Sequence, residues 1–389
     1  MKPIPAKGMV AKSDSFRFVR NVLLKGAILF VIVNLLFAGW FPLEGLGKLS
    51  AYNAVFPGRE RFPFGEKHEE AYNFSLYNLD AMFASHVING EAKPESEYRI
   101  LVIGDSSVWG ALLRPDETLA GQLNSEGMRI CMGKTMKVFN LGYPTLSLTK
   151  DLMILNEAMR YEPDMVVWLV TLESFPVVKQ LSSPLAANNA SRIQSLIQNH
   201  ELNLDTEDPS LSMPSFWKRS IVGQRRSLAD LVRLQLYGVL WAATGIDQVY
   251  PYPYQPAQRD LVDDKTFYDL KPPLLDADRL AFDVLDAGMD VAGDVPVLLV
   301  NEPILISEGL NSDVRYNFYY PRWAYDEYRS LLAERAEESD WLYVDLWDLV
   351  GEAEFTNSAI HVTPESSSQL AGRVRVAIER EICVEAETP

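Results

Sequence analysis

The sequence predicts an α/β fold, a three-layer α/β/α sandwich built on about five parallel strands. Five short apolar runs recur along the chain, each followed by turn residues and a helical pattern. The runs are almost continuous in apolar residues, as expected for parallel strands that are covered on both faces. The regular alternation of strand and helix then favours a layered sheet with helices on each side.

The predicted elements follow one another in a simple order. The strands are Tyr98–Ile103, Lys137–Leu141, Met165–Val170, Val295–Val300 and Trp341–Leu346. Helical patterns fit between them at Lys150–Tyr161 and Ala324–Glu338. The last predicted helix has a clear start signal, because Thr363 is a good N-cap and Pro364 suits the first helical position.

The alternation stops between the third and fourth strands, which predicts an insertion over residues 176–294. The insertion contains a basic and aromatic patch between Phe216 and Arg226, a helical run Leu228–Ile246 and a Tyr/Pro loop Tyr250–Pro256. The helix is open to two interpretations: it lies on a membrane surface with its bases at anionic headgroups, or it caps the α/β core. The tyrosines of the loop either stack on sugar rings or belong to a rigid, proline-stiffened turn.

An uncharged stretch near the N-terminus predicts a transmembrane helix over residues 22–43 that makes the lipid bilayer a partner. Gly26–Leu43 contains no charged residue, and with Val22–Leu24 it reaches the roughly 20 residues that a helix needs to cross the hydrocarbon. Trp40 and Phe41 suit an interfacial aromatic belt. A cleavable signal peptide is the alternative, but Leu36–Gly39 is a poor cleavage site, which favours an uncleaved signal-anchor.

Charge around this helix predicts its orientation. Residues 1–25 hold six bases and one acid, whereas the whole chain carries a net charge of −17. Basic residues stay on the cytoplasmic side, so we expect a cytoplasmic tail over residues 1–21 and a single-pass protein of the cell (inner) membrane. Residues 44–95 then form a stalk that packs onto an outward-facing α/β domain over residues 96–389.

Composition argues against several classes of partner. An acidic body does not suit nucleic acid, because phosphate binding needs a basic surface. Four histidines and two cysteines leave little room for a metal site, and no cofactor motif is evident. We expect Cys131 and Cys383 to be free thiols, although an oxidising compartment would allow them to pair.

Three segments at the carboxyl ends of predicted strands carry candidate catalytic residues. After the first strand, a tight turn delivers Ser106 as a nucleophile at a helix N-terminus whose N–H groups can hold an oxyanion. After the second strand, Gly142 allows close backbone approach and offers a second N–H donor. His361 stands just before the last helix and can act as a general base. Ligands bind at the carboxyl ends of open parallel sheets, so these residues are expected to meet.

These segments resemble the sequence blocks of the SGNH/GDSL hydrolases. GDSSVWG, which begins at Gly104, is similar to the first block, NLGYP at Asn140 to the second, and AIHVTPES at Ala359 to the last. The resemblance implies a flavodoxin-like SGNH fold and a serine esterase or acyl-transfer mechanism. It also implies that Ser106 attacks an ester carbonyl, that His361 moves the proton, and that the N–H groups of Ser106 and Gly142 hold the oxyanion. The Gly-x-Ser-x-Gly elbow of α/β-hydrolases is absent.

The first departure from the family pattern lies after the third strand. Where the third block reads Gly-x-Asn-Asp, this chain has Thr171-Leu172-Glu173-Ser174, so Glu173 replaces the oxyanion-stabilising asparagine. An ionised carboxylate would oppose the developing negative charge. Glu173 therefore has to turn away, be protonated or serve another role, and the Thr171 hydroxyl is the candidate substitute donor. Asn140 of the second block is likewise left without an assigned role.

The second departure concerns the acid that normally stands three residues before the histidine. That position is Ser358 in this chain, and loss of the orienting acid can cost about 10⁴-fold in turnover. The candidates for the third catalytic member are Ser358, Asp345, Asp348 and Glu302, with a backbone carbonyl as a further alternative.

Three hypotheses on function follow from these features. The leading one is a membrane-tethered, outward-facing serine esterase that hydrolyses acyl esters, for example those of a cell-envelope polysaccharide. The second is an O-acyltransferase of envelope glycans, and the third is a non-catalytic envelope-binding protein that keeps the fold. The pair Ser106 and His361 favours an enzyme, whereas Glu173 and Ser358 favour the binding protein.

Overall fold

The sheet predicted from the sequence is present in the computed structural model. The structure describes residues 10–41, 45–46, 58–64, 77–90, 92–125, 133–212, 214–245 and 254–387. These ranges contain a five-stranded sheet of order β2-β1-β3-β4-β5, in which all neighbouring strands are parallel. The strands are β1 Glu97–Ile103, β2 Thr135–Asn140, β3 Met165–Val170, β4 Val297–Asn301 and β5 Leu342–Asp345. The predicted α/β class is therefore confirmed.

Helices connect the strands and extend the chain at both ends. Within the described ranges they are α1 Val10–Trp40, α2 Leu79–Ser85, α3 Ser106–Trp109, α4 Leu119–Asn124, α5 Leu148–Ala158, α6 Pro184–Asn188, α7 Ala190–His200, α8 Arg225–Thr244, α9 Phe282–Ala292, α10 Arg322–Glu338 and α11 Pro364–Glu387. The predicted cap of the last helix is also confirmed, because the Ser366 N–H donates to Thr363 Oγ1 at 3.4 Å.

Two apolar layers cover the sheet. Side chains alternate between the faces of a strand, so Ile100 and Val102 of β1 belong to one core, and Leu101 and Ile103 to the other. Helices α4 and α11 pack together on the first face, and α5 and α9 pack together on the second. This arrangement leaves the carboxyl ends of the strands at one edge, where loops can carry functional side chains.

Helix α1 is longer than predicted and begins on the N-terminal side of residue 22. Its 26-residue span Ser15–Trp40 is long and apolar enough to cross a membrane, and only 11% of an apolar 18-residue stretch within it is buried. A signal sequence has the same length and composition. Residues 42 and 43, where the predicted helix ends, lie outside the described residues.

Parts of the predicted stalk pack onto the α/β domain. Phe62 and α2 contribute side chains to the larger core. The buried Arg61 donates from Nη1 to the carbonyl oxygens of Trp109, Gly110 and Leu113 at 3.1, 2.8 and 3.0 Å. This segment therefore supports the loop after β1, and residues 44, 47–57, 65–76 and 91 of the predicted stalk lie outside the described ranges.

The predicted insertion also contains an element of the sandwich. Helix α9 falls within residues 176–294, yet it packs against α5 as part of the layer that covers β3 and β4. The sequence added to the sandwich therefore comprises α6, α7, α8 and the loops around them. Of the predicted Tyr/Pro loop, residues 250–253 lie outside the described ranges.

The cysteine prediction requires a correction. Cys383, near the end of α11, is disulfide-bonded, although we expected a free thiol. The only other cysteine of the sequence, Cys131, lies outside the described residues. A separation of about 250 positions gave no local signal for a disulfide, because such pairing depends on the tertiary fold.

Candidate active site

The loop after β1 and the loop before α11 bring a hydroxyl and an imidazole together. Ser106 Oγ lies 2.7 Å from His361 Nε2, so the proximity expected from the sequence is confirmed. Ser106 is the first residue of α3, and Gly110 ends this short helix with a left-handed φ of 85°. Gly104 permits the sharp turn: its φ is 150°, and a Cβ there would lie 2.7 Å from Val108 Cγ2.

The second ring nitrogen of His361 contacts Asn357. His361 Nδ1 is 2.7 Å from Asn357 Oδ1. Because an amide oxygen accepts and does not donate, Nδ1 carries the proton and Nε2 is left to accept from the Ser106 hydroxyl. Thr356 closes the loop by donating its N–H to the His361 carbonyl at 2.8 Å. This tight loop places the orienting side chain four residues before the histidine.

The structure therefore corrects the prediction of the third member. Ser358 interacts with Tyr319 instead, and Asp345 forms an ion pair with Arg329 at 2.7 Å. Asp348 is exposed, and Glu302 accepts a hydrogen bond from Ser107. The family pattern has a carboxylate three residues before the histidine, whereas Asn357 is a neutral amide four residues before it, so no sequence signal marked this residue. An asparagine can orient a catalytic histidine, as it does in Cys-His-Asn proteases.

Two buried carboxyl groups lie next to the nucleophile. Asp105 caps α3 by accepting from the Ser107 N–H at 2.8 Å, and Glu302 accepts from the Ser107 hydroxyl. Burial raises the pKa of Asp105 and, together with the charge of Asp105, raises the pKa of Glu302 well above its usual value. The negative charges of two carboxylates buried this close together repel each other, which favours the protonated form of Glu302.

Lys150 ties the ends of β1 and β2 together. Its buried Nζ donates to the carbonyl oxygens of Gly104 and Tyr143 at 2.6 and 3.1 Å and pairs with Asp151 Oδ1 at 2.5 Å. Burial raises the pKa of Asp151 to about 6, against the opposing effect of the Lys150 charge. The ammonium thus holds the backbone on both sides of the nucleophile turn.

Replacing Lys150 by methionine is expected to destabilise the protein strongly. The change leaves Asp151 buried without its cation, so the free energy of unfolding should fall by about 3–5 kcal/mol. Urea denaturation of the full chain in detergent would measure it. Lys93→Met is the matched control, because the Lys93–Asp164 pair is more exposed, with side chains 18% and 19% accessible, and should contribute about 1 kcal/mol or less. Equal losses of unfolding free energy in the two variants would contradict the conclusion that Lys150 holds the ends of β1 and β2 together.

The segment after β2 supports the nucleophile turn. Asn140 Nδ2 donates to the Val108 carbonyl at 2.8 Å, and its Oδ1 accepts from the Gly142 N–H at 3.0 Å. The close approach expected of Gly142 is present, since a Cβ there would lie 2.5 Å from Trp109 N. Its N–H, the expected second oxyanion donor, is directed to Asn140 in this structure. Asn140 thereby acquires a positioning role that the sequence did not reveal.

The residues after β3 have partners of their own. The Thr171 hydroxyl is 3.0 Å from the Tyr320 hydroxyl. Glu173 pairs with Lys179 Nζ at 2.7 Å and accepts from the Tyr268 hydroxyl at 2.7 Å. Glu173, which stands where the family pattern has asparagine, is therefore the partner of a cation and of a hydroxyl donor. Of the three alternatives given for this residue, the structure favours another role.

A further residue near the site, Tyr319, was overlooked in the sequence. It interacts with Ser358, and burial together with the charge of Glu173 raises the pKa of its hydroxyl. Tyr319 therefore stays protonated at neutral pH and lies near Ser358, Glu173 and Asp105. Tyr319 lies three residues before the start of α10, in a Tyr-rich loop that carries no recognisable motif.

No metal site accompanies these residues in the described part of the chain. Among those residues, no group of three or more His, Cys, Asp or Glu side chains is arranged to hold an ion. The groups that the structure brings together here are the Ser106 hydroxyl, the His361 imidazole and the Asn357 amide.

Comparison with known proteins shows distant structural likeness alone. No protein-family model matches the chain, and no curated protein matches its sequence. Among solved structures, it is similar to Est24, a carbohydrate acetylesterase from Sinorhizobium meliloti (14% identity, 72% of this chain and 97% of that chain, TM-score 0.32). It is also similar to a catalytic mutant of Axe2, an acetylxylan esterase from Geobacillus stearothermophilus (14%, 73% and 94%, TM-score 0.34). A third similar structure is the aryl esterase of M. smegmatis (15%, 72% and 99%, TM-score 0.29). Similarity at this level assigns no substrate to this chain.

Proposed function

We propose that this protein is a serine ester hydrolase of the SGNH type. The observation that carries the proposal is the continuous array Ser106 Oγ, His361 Nε2, His361 Nδ1 and Asn357 Oδ1, with both hydrogen bonds at 2.7 Å. A nucleophile bonded to a base, which is in turn oriented by a third group, is the arrangement that covalent acyl transfer requires.

The reaction uses these groups in two steps. Ser106 Oγ attacks the ester carbonyl while His361 Nε2 takes its proton, and the protonated imidazole then gives that proton to the leaving alkoxide. Water attacks the acyl-serine by the same route, so the acid is released and the serine is restored. Asn357 holds the ring and accepts from Nδ1–H throughout, without becoming ionised itself.

The oxyanion is stabilised at the start of α3. The first N–H groups of a helix have no intrahelical partners, and Ser106 N–H belongs to this set. A donor here is worth roughly 10²–10³ in rate. For Gly142 to serve as a second donor, as the sequence suggested, its N–H has to leave Asn140 Oδ1 when substrate binds.

We also propose that the protein is anchored by α1 with its α/β domain outside the cytoplasm, at the inner membrane. The excess of bases before the apolar span supports this orientation. The disulfide at Cys383 supports it independently, because disulfides persist in oxidising compartments. In this setting the acyl ester of a cell-envelope glycan is the substrate class to test first, with water or a sugar hydroxyl as acyl acceptor.

A fluorophosphonate probe on the full chain tests the proposed chemistry. We expect one phosphonyl group per protein, mapped by peptide mass spectrometry to Ser106. Ser107→Ala is the matched control: it removes the neighbouring hydroxyl, which bonds to Glu302, whereas His361 Nε2 contacts Ser106 Oγ, and it should keep the label. An unlabelled protein that binds glycans would favour the non-catalytic alternative. Release of acid to water or transfer of the acyl group to added oligosaccharide would separate hydrolase from transferase.

The pH dependence of ester hydrolysis provides a second test. Burial of the ring lowers the pKa of His361 to about 4. Because the neutral imidazole is the base, kcat/KM should stay constant from neutral pH to about pH 5 and fall about tenfold per unit below about pH 4. Circular dichroism at each pH would show that the fold persists. An acid limb centred near the ordinary histidine pKa of about 6.5 would contradict this description of the ring's surroundings.

A further inference from the structure

Helix α8 of the insertion carries an exposed apolar face. Val232, Leu236 and Leu240 recur every four residues and are 59%, 66% and 62% exposed, and Tyr237 and Trp241 beside them are 57% and 46% exposed. This spacing forms one continuous stripe along the helix. A contiguous apolar patch on a folded protein marks an interaction surface.

The turn that precedes α8 has the composition of a lipid headgroup region. Trp217 is 75% exposed and Val222 is 48% exposed. The neighbouring bases Lys218, Arg225 and Arg226 are also exposed. Tryptophan and basic side chains together favour the surface of an anionic bilayer, where the aromatic ring enters the interface and the cations remain at the headgroups.

A hydrogen bond connects this turn to the apolar helix α1. The Val222 N–H donates to Asn34 Oδ1 at 3.0 Å. Asn34 is 9% exposed, whereas Leu36, two residues further along, is 68% exposed. The turn is therefore continuous with the surface of α1, which is the part of the chain that meets the bilayer if the proposed anchor is correct.

The position of Asn34 sets the depth of the turn. Asn34 precedes Trp40 by six residues, which corresponds to about 9 Å along the helix axis. With Trp40 at the interface, Val222 lies about that far below it. Amphipathic helices of the interface bury their apolar face by about 5–10 Å, so the two depths agree.

Charge on α8 favours a helix that lies along the membrane. Arg233 pairs with Asp230 at 2.9 Å, and its side chain is 72% accessible beside the apolar stripe. A charged side chain at the bilayer centre is costly, but near the interface a long arginine can extend to the headgroups. Within the described residues, the span long and apolar enough to cross a membrane lies in α1.

We propose that residues 216–244 form an interfacial membrane element, in which α8 lies beside α1 with Val232, Leu236 and Leu240 among the acyl chains. The proposal rests on the membrane anchor proposed above and commits to lipid as the occupant of this face. The α/β domain is then held to the bilayer by two elements, so its approach to the membrane is fixed.

Photo-crosslinking from lipid tests the proposal. The full chain is placed as single copies in nanodiscs of phosphatidylcholine and phosphatidylglycerol that contain a lipid with a diazirine in its acyl chain. We expect crosslinks in α1 and in α8. The exposed Val376 of α11, which is 59% accessible, provides the reference for an apolar residue that faces water and should remain unlabelled.

Paired variants separate lipid contact from loss of folding. Leu236→Asp with Leu240→Asp should lower α8 labelling about tenfold and leave α1 labelling unchanged, and Val376→Asp should change neither. The proposal is overturned if lipid labels α1 but labels α8 no more than the reference residue Val376. It is also overturned if α8 of one copy crosslinks to α8 of another copy in larger discs. Absence of label in both helices would refute the anchor itself. Fluorophosphonate labelling of Ser106 in the same discs reports on the enzyme hypothesis separately.

Discussion

Ser106→Ala is expected to lower the rate of aryl ester hydrolysis by about 10⁴–10⁶-fold, the largest effect of any single change in this chain. Removal of the nucleophilic serine from a Ser-His unit costs about 10⁶-fold in kcat where the unit has been dissected, and what remains comes from binding and the oxyanion site. In the proposed mechanism, His361 Nε2 takes its proton from Ser106, whose Oγ lies 2.7 Å away.

The adjacent Ser107 provides a matched control for this prediction. Ser107 occupies the next position of the same short helix, but its hydroxyl bonds to the buried Glu302. Ser107→Ala should therefore reduce stability by about 1–3 kcal/mol and keep the rate within about tenfold. Steady-state hydrolysis of p-nitrophenyl acetate, with the buffer rate subtracted, distinguishes the variants. Comparable losses in both would show that the turn is needed only for folding, and an unchanged rate in Ser106→Ala would remove the serine mechanism.

Much of the fold was accessible from the sequence because its signals are local. Near-continuous apolar runs mark buried parallel strands, and each predicted strand lies within two residues of an observed strand. Ser106 and His361 could be paired for a similar reason, since residues at the carboxyl ends of parallel strands share one edge of the sheet. These inferences need no knowledge of how individual loops bend.

The features that the sequence did not reveal depend on loop geometry and on contacts between distant segments. Asn357 faces His361 because Thr356 N–H closes a tight loop onto the His361 carbonyl. The disulfide at Cys383 and the Arg61 contacts to the nucleophile loop join parts of the chain that no periodic pattern relates. The insertion is shorter than predicted for the same reason. Only the packing of α9 on α5 shows that this helix belongs to the sandwich and not to the insertion.

Asn357→Ala is expected to lower kcat by about 10²–10⁴-fold through loss of histidine orientation. The amide oxygen fixes the proton on Nδ1 and leaves Nε2 as the base. When the orienting group of a Ser-His-Asp triad no longer fixes the tautomer, turnover falls about 10⁴-fold. A neutral amide stabilises the imidazolium less than a carboxylate does, so its removal can cost less than about 10⁴-fold, and the expected range therefore extends down to about 10²-fold. Ser358→Ala, one residue away at a side chain that interacts with Tyr319, is the control and should keep kcat within about tenfold.

The aspartate variant at the same position distinguishes orientation from simple structural support. Asn357→Asp keeps an oxygen acceptor opposite Nδ1 and adds a negative charge, which favours the protonated ring and raises the pKa of His361 from about 4. The acid limb of kcat/KM should therefore move to higher pH by about one unit or more, while activity at neutral pH is retained. A residue that only braces the loop would give no such displacement. If the acid limb stays in place while the rate falls in both Asn357→Ala and Asn357→Asp, Asn357 supports the fold and the orienting group must be sought elsewhere.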